Sequence, residues 1–537
     1  MDTTKPKDDP ASDALTPQYT VDEGERVDAV INASGHAQEL ERNFSLLSAA
    51  AVGICTGNSW VALGGSIVIS LYNGGPPGVI YELFAASFFY WLLAACIAEL
   101  VSAIPSSAGV YHWASVTPGP KYGRVVGYFA GWWNFLAYAF GAASMSAIMA
   151  NEILAMYGLF HPEFVYQRWH TFVVYLITTW MCCAMVLFAN RALPLVNQIG
   201  LFLIVAGCLV TVLVCAIMPG TTGVGYASND FVWRDFLNQT GYSSDGFAFL
   251  AGMLNASFAV GVPDCVAHLA EEIPRPRVNV PKAIAMQMAV GLLTAFIYLV
   301  AIFYSINDFD ALLSNTYTIP LAELYHQATS SRAGALGLLI VVFLPSVCTC
   351  IGIYITAGRM LWTLARDDAT PFSHTLGRIS PTYKNPFNAT VACGIIITVL
   401  GAIYVGSTTA FNAFVGSFVV LTTLSYLAAI LPHFLSRRRH VVPGPFWMPD
   451  SIAYVVGGIG CAYIVVFVVI YCFPYAMPFD AASMNYSCLI TGGLTIFVGA
   501  WWVWIRNKGY VGPQALIEGE IQMAAEQHHA RISSEKA

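Results

Sequence analysis

The sequence predicts an all-α polytopic membrane protein of about twelve transmembrane helices, arranged as an inverted five-plus-five helix repeat with two additional helices. Three observations carry this reading. Of 537 residues, 57% are hydrophobic and only 10% charged, whereas an ordinary soluble domain carries roughly 25% charged residues. After residue 45, apolar runs long enough to cross a hydrocarbon core of roughly 30 Å recur along nearly the whole chain. The first and sixth runs are interrupted by glycine, proline and small polar residues at matching places of two five-helix halves.

Spans are expected at about 46–71, 79–103, 125–157, 170–190, 195–218 and 246–270, then at about 284–306, 333–361, 387–405, 410–431, 452–473 and 486–505. The first repeat is then 46–218, an outer loop 219–245, the second repeat 246–431 and the additional pair 432–505. The polar segment 1–45, rich in Asp, Glu, Pro and Ser, is expected to be a disordered cytosolic tail, because it lacks the pattern of a cleaved signal peptide. Residues 506–537 form a second cytosolic tail. Every lysine and arginine except Arg168, Arg234 and Arg332 falls in a tail or an even-numbered connection, which places both termini in the cytoplasm. The sequon Asn238-Gln239-Thr240 then lies outside, where glycosylation is chemically open, although chance explains a sequon equally well.

Composition also excludes. The net charge of -7 comes from no long acidic run, and no basic stripe is present, so nucleic acid is not a partner. The 13 cysteines lie within or beside apolar spans and read as small packing residues, not as a disulfide framework or metal site. No metal-ligand cluster, cofactor motif or acyltransferase-like histidine signature appears, so neither an enzyme nor a cofactor is expected. Trp501, Trp502 and Trp504 read as interfacial anchors, whereas Trp132 and Trp133 lie within the third span.

Helix breakers inside an apolar span are tolerated where the freed backbone is buried in protein or lines a wet cavity. The first span runs Gly53-Ile54-Cys55-Thr56-Gly57-Asn58-Ser59-Trp60 and continues to Gly64, Gly65 and Ser66. The segment from Asn58 to Gly65 is expected to unwind and contact substrate. The sixth runs Gly252-Met253-Leu254-Asn255-Ala256-Ser257-Phe258 and continues to Gly261, Pro263 and Asp264. A half-helix N-terminus can hold a carboxylate there, and unwound carbonyls can hold a cation. The bland alternative is that these glycines only let helices pack closely.

Among ionisable residues at depth, Asp264 stands out, since a carboxylate at helix centre costs roughly 2.5–3.5 kcal/mol on insertion scales. Either it faces a cavity and pairs with a cationic substrate or proton, or a structural partner holds it, such as an amide freed by Pro263. His268, four residues on, reads as a proton relay or as a hydrogen-bonded structural histidine. Glu99 and Glu152 are further membrane-embedded candidates near span ends; Glu152 could tune a vestibule, but a snorkelled or capped side chain is the first reading for it.

The run Glu271-Glu272-Ile273-Pro274-Arg275-Pro276-Arg277-Val278-Asn279-Val280-Pro281 and the run Ala365-Arg366-Asp367-Asp368-Ala369-Thr370-Pro371 resemble the amino acid, polyamine and organocation permeases, in particular their fungal choline and GABA branch. Within that branch Asn73-Gly74-Gly75-Pro76, Ala98-Glu99-Leu100, Pro105-Ser106-Ser107-Ala108-Gly109 and the stretch from Tyr463 to Pro474 with Met484-Asn485-Tyr486 look most like choline permeases of filamentous fungi. The resemblance covers about residues 40–508. It implies the repeat fold above, import at the plasma membrane by alternating access, and a substrate lying between the breaks of spans one and six against spans three and eight. By that pattern Asn58, Ser59, Trp60, Gly64, Gly65, Tyr138, Ala142, Phe258, Asp264 and Tyr354 are the expected substrate-binding residues. Some relatives carry in span five a lysine whose ammonium replaces sodium. Residues 195–218 contain none, so the coupling ion, a proton or another, stays open.

Choline, a permanent cation without N–H donors, would need aromatic faces such as Phe258, Tyr138, Trp60 and Trp133, each contact worth roughly 0.5–2 kcal/mol. GABA, another amino acid or a zwitterion would need its carboxylate held by amides near Gly64 and Gly65, and a polyamine remains a further candidate. Membrane lipid is the remaining partner. From another class, a nutrient sensor with a permease fold but no flux also fits the interrupted helices; the short tails rank it below a carrier.

Overall fold

The computed structural model describes residues 44–313, 318–407, 409–481, 483–508, 510, 512 and 513. Most of the two expected tails lies outside these residues. The described chain is helical throughout, with eleven helices long and apolar enough to cross a membrane and a twelfth, Asp245–Val260, that is shorter because its span is broken.

Span one, Leu46–Ser66, consists of two helices, Leu46–Thr56 and Ser59–Ser66. Span two follows almost at once. Gly74 and Gly75 interrupt the helix Val68–Ala103, and Gly75 takes φ +63, a conformation that glycine alone adopts without strain. Pro76 and Pro77 then open span two, where missing N–H groups cost nothing. Span three is Gly123–Gly158, span four Arg168–Phe188 and span five Asn190–Thr222. Span six is Asp245–Val260, six non-helical residues and a short turn of 3-10 helix, Ala267–Glu272. Spans seven to twelve are Pro276–Tyr304, Arg332–Arg366, Phe387–Gly406, Ala410–Leu435, Asp450–Ile470 and Ser487–Ile505.

Burial sorts the spans. The apolar segments of spans one, three and ten are 89%, 83% and 78% buried, against 28%, 33% and 17% for spans five, nine and twelve. The former make the centre and the latter the wall whose exposed Phe202, Ile395 and Phe497 suit lipid. Spans three and ten pack along their lengths, as do spans two and six. The cysteines are free, and all but Cys472 and Cys488 are buried among these helices. Asn238 is folded into its loop, its Nδ2 donating to the Tyr242 carbonyl at 2.9 Å and to Asp245 at 3.0 Å.

The end of the bundle that carries the chain termini is clamped by charge. Glu99 is buried at its centre. Its Oε1 accepts from Arg438 at 2.8 Å and faces His433 Nε2 at 3.2 Å, and its Oε2 accepts from the Met448 amide at 3.0 Å. Arg438 also donates to Asp450 at 2.6 Å and lies 4.0 Å over the Trp447 ring. This network fastens the connection between spans ten and eleven to the end of span two. Arg438→Ala leaves the buried Glu99 carboxylate without its main counter-charge and is expected to cost about 3–5 kcal/mol, read as a lower thermal unfolding midpoint in detergent; an unchanged midpoint would show the pair to be dispensable.

Candidate functional site

The two breaks face each other. In span one the helix stops at Gly57, whose amide still donates to Gly53 at 2.8 Å, and restarts at Ser59. In span six the helix ends at Val260 and residues 261–266 turn without helical bonds of their own, as Gly261 and Pro263 dictate. Gln287 of span seven seals the junction. Its Nε2 donates to the freed Val262 carbonyl at 2.9 Å, and its Oε1 accepts from the Cys265 thiol at 3.5 Å. The same side chain fills the space left by two glycines, since a Cβ on Gly57 would come within 2.5 Å of Gln287 Nε2 and one on Gly53 within 2.9 Å of its Oε1. The polar groups exposed by breaking span six are therefore met from span seven, with span one pressed against the same amide.

Asp264 occupies the middle of the span-six break and is fully buried. Its Oδ1 accepts from Tyr138 at 2.8 Å and Tyr426 at 2.5 Å, and its Oδ2 accepts from Asn134 Nδ2 at 3.0 Å. His268 Nε2 lies 3.2 Å from Oδ2, and its Nδ1 lies 3.0 Å from the Ser107 carbonyl. Because a carbonyl only accepts, Nδ1 carries a hydrogen, and one further proton is shared between Nε2 and the carboxyl. Whichever atom holds it, the Asp264–His268 pair is neutral as a unit. Four side chains from spans three, six and ten thus spend the carboxyl, and the pair offers no net charge to a cation. The charge-pairing expectation for Asp264 is not met in this conformation; the scaffold alternative matches the geometry, with side-chain donors in place of an amide freed by Pro263.

Around this hub lies an aromatic cluster. Phe258 meets Phe418 edge-to-face with centroids 5.4 Å apart, and Tyr138 meets the same ring at 6.4 Å and His268 at 5.9 Å. Ala142 sits one turn along span three from Tyr138 and is buried. Asn58, at the opposite break, is 3% exposed, and both polar atoms of its amide lack a partner. It brings unspent hydrogen-bonding capacity to the junction. Ser59 donates to the Gly57 carbonyl at 3.3 Å.

Other expected residues lie elsewhere. Gly64 and Gly65 are inside the helix Ser59–Ser66, so the expected unwinding through Gly65 stops at Asn58. Their lack of a side chain serves packing: a Cβ on Gly64 would meet the Tyr298 hydroxyl at 2.5 Å, and one on Gly65 would meet Ile148 at 2.5 Å. Their amides are spent within the helix; unspent amides fall in its first turn, residues 59–61. Trp60 packs on Tyr298 of span seven, with centroids 5.1 Å apart, and on Gly207 of span five, away from Asp264. Trp133 donates to Thr495 of span twelve at 2.9 Å. Tyr354 neighbours Tyr175, Cys182 and Cys183 of span four. Glu152 neither snorkels nor caps but accepts from Ser346 at 3.2 Å inside the bundle.

Sequence reasoning passed over Asn134, Gln287, Phe418 and Tyr426. Their one signal is a polar or aromatic side chain within an apolar run. The motif after span six has a defined task. Glu272 takes a two-point contact from Arg359 of span eight at 2.5 and 3.1 Å, and Glu271 lies 3.6 Å from Arg366. With the Phe44 amide on the Glu272 carbonyl at 3.2 Å, these contacts close the junction toward the end that bears the termini. On the far side Ser66 donates to Asn255 at 2.5 Å, tying the outer halves of spans one and six.

Two opposed helix breaks in a twelve-span bundle, followed by that ion-paired motif, coincide with a sequence match over nearly the entire chain: the amino acid permease pattern spans residues 44–494. The chain belongs to the amino acid permease family. Relatives include the choline transporter of Saccharomyces cerevisiae, 30% identical over 90% of this chain and 84% of its own length. The 7-keto 8-aminopelargonic acid transporter of the same yeast is 24% identical over 84% of this chain and 90% of its own. The swainsonine transporter of Arthroderma benhamiae is 25% identical over 90% and 96%. The permease is a multi-pass membrane protein and a secondary transporter for small organic amines.

In this permease Asp264→Asn puts an N–H group where the hub needs an acceptor. Uptake of a cationic and of a zwitterionic substrate, normalised to surface protein, is expected to fall together, with stability lowered by about 1–3 kcal/mol. A loss confined to the cation would restore the charge-pairing role.

Proposed function

We propose that the permease imports choline across the plasma membrane by alternating access, with both termini in the cytoplasm. The observation that carries this is the buried group of Tyr138, Phe258 and Phe418 beside the break of span six. A quaternary ammonium has no N–H to donate, so it gains nothing from a carboxylate already spent on four protein groups, whereas aromatic faces attract it without hydrogen bonds. The free Asn58 amide across the junction suits a hydroxyl group. The relative that transports choline, alike along most of both chains, supports the same substrate.

The charge distribution supports the orientation. Lys121, Arg124, Arg275, Arg277, Arg378 and Arg437 lie at the end that bears the termini, the side that the positive-inside rule assigns to the cytoplasm. On this reading the Glu272–Arg359 and Glu271–Arg366 pairs close the cytoplasmic side, and the five-helix halves 46–218 and 246–431 are the inverted repeats of the carrier. The candidate residues Asn58, Ser59, Trp60, Tyr138, Ala142, Phe258 and Asp264 are buried, as in a conformation shut on both sides.

The test is radiolabelled uptake of choline, GABA, amino acids and polyamines in a permease-deficient host, with terminal tags probed before and after permeabilisation. Choline uptake with an apparent KM raised roughly 2- to 30-fold in Phe258→Ala is expected from the loss of one cation–ring contact. Uptake of GABA without choline would instead favour a carboxylate seated at the amides of residues 59–61. Surface expression without flux of any of these substrates would favour a sensor.

A further inference from the structure

Six acidic residues are buried within the described spans, and five have partners: Asp264 its four donors, Glu99 Arg438, Glu272 Arg359, Glu271 Arg366 and Glu152 the Ser346 hydroxyl. Glu82 of span two has none. It is fully buried, and neither carboxyl oxygen has a hydrogen-bond partner. The carboxyl is pressed onto span six at Gly252, where a Cβ would lie 2.0 Å from Oε1 and 2.6 Å from Cδ. Only glycine at 252 leaves room for it. Asn73 converges on the same spot, its Cβ 2.7 Å from that position and its Nδ2 donating to the Ala248 carbonyl at 3.0 Å.

Asn73 also lines a pocket of about 10 Å³ with Leu254, Tyr471, Tyr475 and Asn485, room for about one water molecule. The pocket opens the question of what reaches Glu82 from the far end of the bundle. Titratable groups on the elements packed around span two stand apart. Asp245, at the start of span six, and Asp230, Arg234 and Asp235, in the preceding loop, are exposed. Tyr463 and Tyr471 of span eleven bond to Ser257 at 3.0 and 2.8 Å, and Tyr298 of span seven bonds to Tyr325. Tyr426 of span ten is on Asp264, and Tyr304 of span seven donates to Asn229.

We infer that Glu82 is the proton-carrying residue of a proton-coupled transport cycle, loaded from the far end through the pocket beside Asn73. Ionised, the carboxyl would sit in the closed bundle with no donor and no counter-charge, so closure selects its protonated form. When the outer halves of spans one and six, tied by Ser66 and Asn255, swing away from span two, water enters; hydronium gives one proton to the carboxylate, leaving a neutral acid and one water. Closure carries the proton inward with the substrate. Hydroxyl groups stand farther inward along the same side of span two. Glu82, Ala86 and Tyr90 share one face of span two at four-residue spacing, and the unpartnered Tyr90 hydroxyl lies 3.5 Å from the Cβ position of Gly261 at the span-six break. The Ser257, Tyr463 and Tyr471 hydroxyls lie on the same stretch, between Gly252 and Gly261.

The inference rests on choline transport, and the test separates the two. Full-length protein in proteoliposomes is assayed for labelled choline by counterflow at equal pH and by net uptake with an acid-outside gradient. Wild type is expected to do both, an inward gradient of one pH unit being worth about tenfold in accumulation for a one-proton cycle. Glu82→Gln is expected to keep counterflow within about twofold and lose the stimulation by the gradient. Gradient-stimulated uptake retained in Glu82→Gln overturns the inference, as does wild-type counterflow that answers to sodium and not to pH. If Glu82→Gln does not reach the membrane, Glu82→Asp retains a titrating group at a changed depth, and an unshifted pH midpoint of uptake overturns the inference. If wild type shows no choline counterflow, the substrate reading fails, and infrared spectroscopy decides the rest: a protonated-carboxyl band at neutral pH that disappears in Glu82→Gln or shifts in Glu82→Asp supports the inference, and its absence from wild type overturns it.

Discussion

A carboxylate in the middle of a broken membrane helix cannot rely on water, and the rest of the central architecture follows from how Asp264 is answered. Its donors come from Asn134 and Tyr138 on span three, Tyr426 on span ten and His268 beyond the break. None of these could be moved without leaving a buried acceptor unsatisfied, at a cost of about 1–3 kcal/mol each. Spans three and ten are accordingly held side by side and antiparallel, and the inner part of span six is fixed to both. The junction of the two breaks is built on this fixed corner, in which an aromatic surface and the Asp264–His268 pair stand side by side.

The breaks themselves were legible because their cause is local. Pro263 acts through backbone geometry that a sequence states directly, Gly57 and Gly261 mark places where a neighbour comes too close for a side chain, and both helices stop where these residues stand. Gly64 and Gly65 show the limit of that reasoning. In a membrane helix glycine has two uses, freedom of backbone and absence of a side chain, and only the neighbour decides between them. Here the neighbours are Tyr298 and Ile148, more than 80 residues away in the chain, and the helix runs on unbroken. The same distance hid Gln287, Phe418 and Tyr426, whose importance lies wholly in what they meet. Asp264 was visible as an anomaly, but its compensation was not, since four donors were spread over some 290 residues of sequence.

Glu82 illustrates the converse. Standing six residues past Pro76, it reads as a residue near a span end, and nothing in its neighbourhood of sequence marks it as isolated. Only the packing of span two against Gly252 shows that the carboxyl points inward and meets no donor. A buried charge without partners is expensive, and one that is neutral in the closed bundle must change its state when water arrives. That conditional cost is a means of linking ionisation to conformation, which a well-paired carboxylate such as Asp264 or Glu99 lacks.

The two breaks are unequal, and the inequality indicates which parts can move. Span one parts over two residues, and a glycine and a capped helix end accommodate the gap. Span six parts over six residues, whose freed groups are held by Gln287 and whose carboxylate is held by spans three and ten. Beyond the breaks, toward the far end, the helices Ser59–Ser66 and Asp245–Val260 are joined by Ser66 and Asn255. A motion that preserves the Asp264 hub therefore leaves the inner segment of span six with the scaffold and swings the two outer helices together about Asn58 and Gly261. Such a swing carries Gly252 away from Glu82 and Asn73 while Phe258, at the pivot, moves least. The aromatic seat and the unpaired carboxyl then experience opening differently: the first keeps its shape for a ligand and the second gains water, so a single displacement of helices can govern access to both.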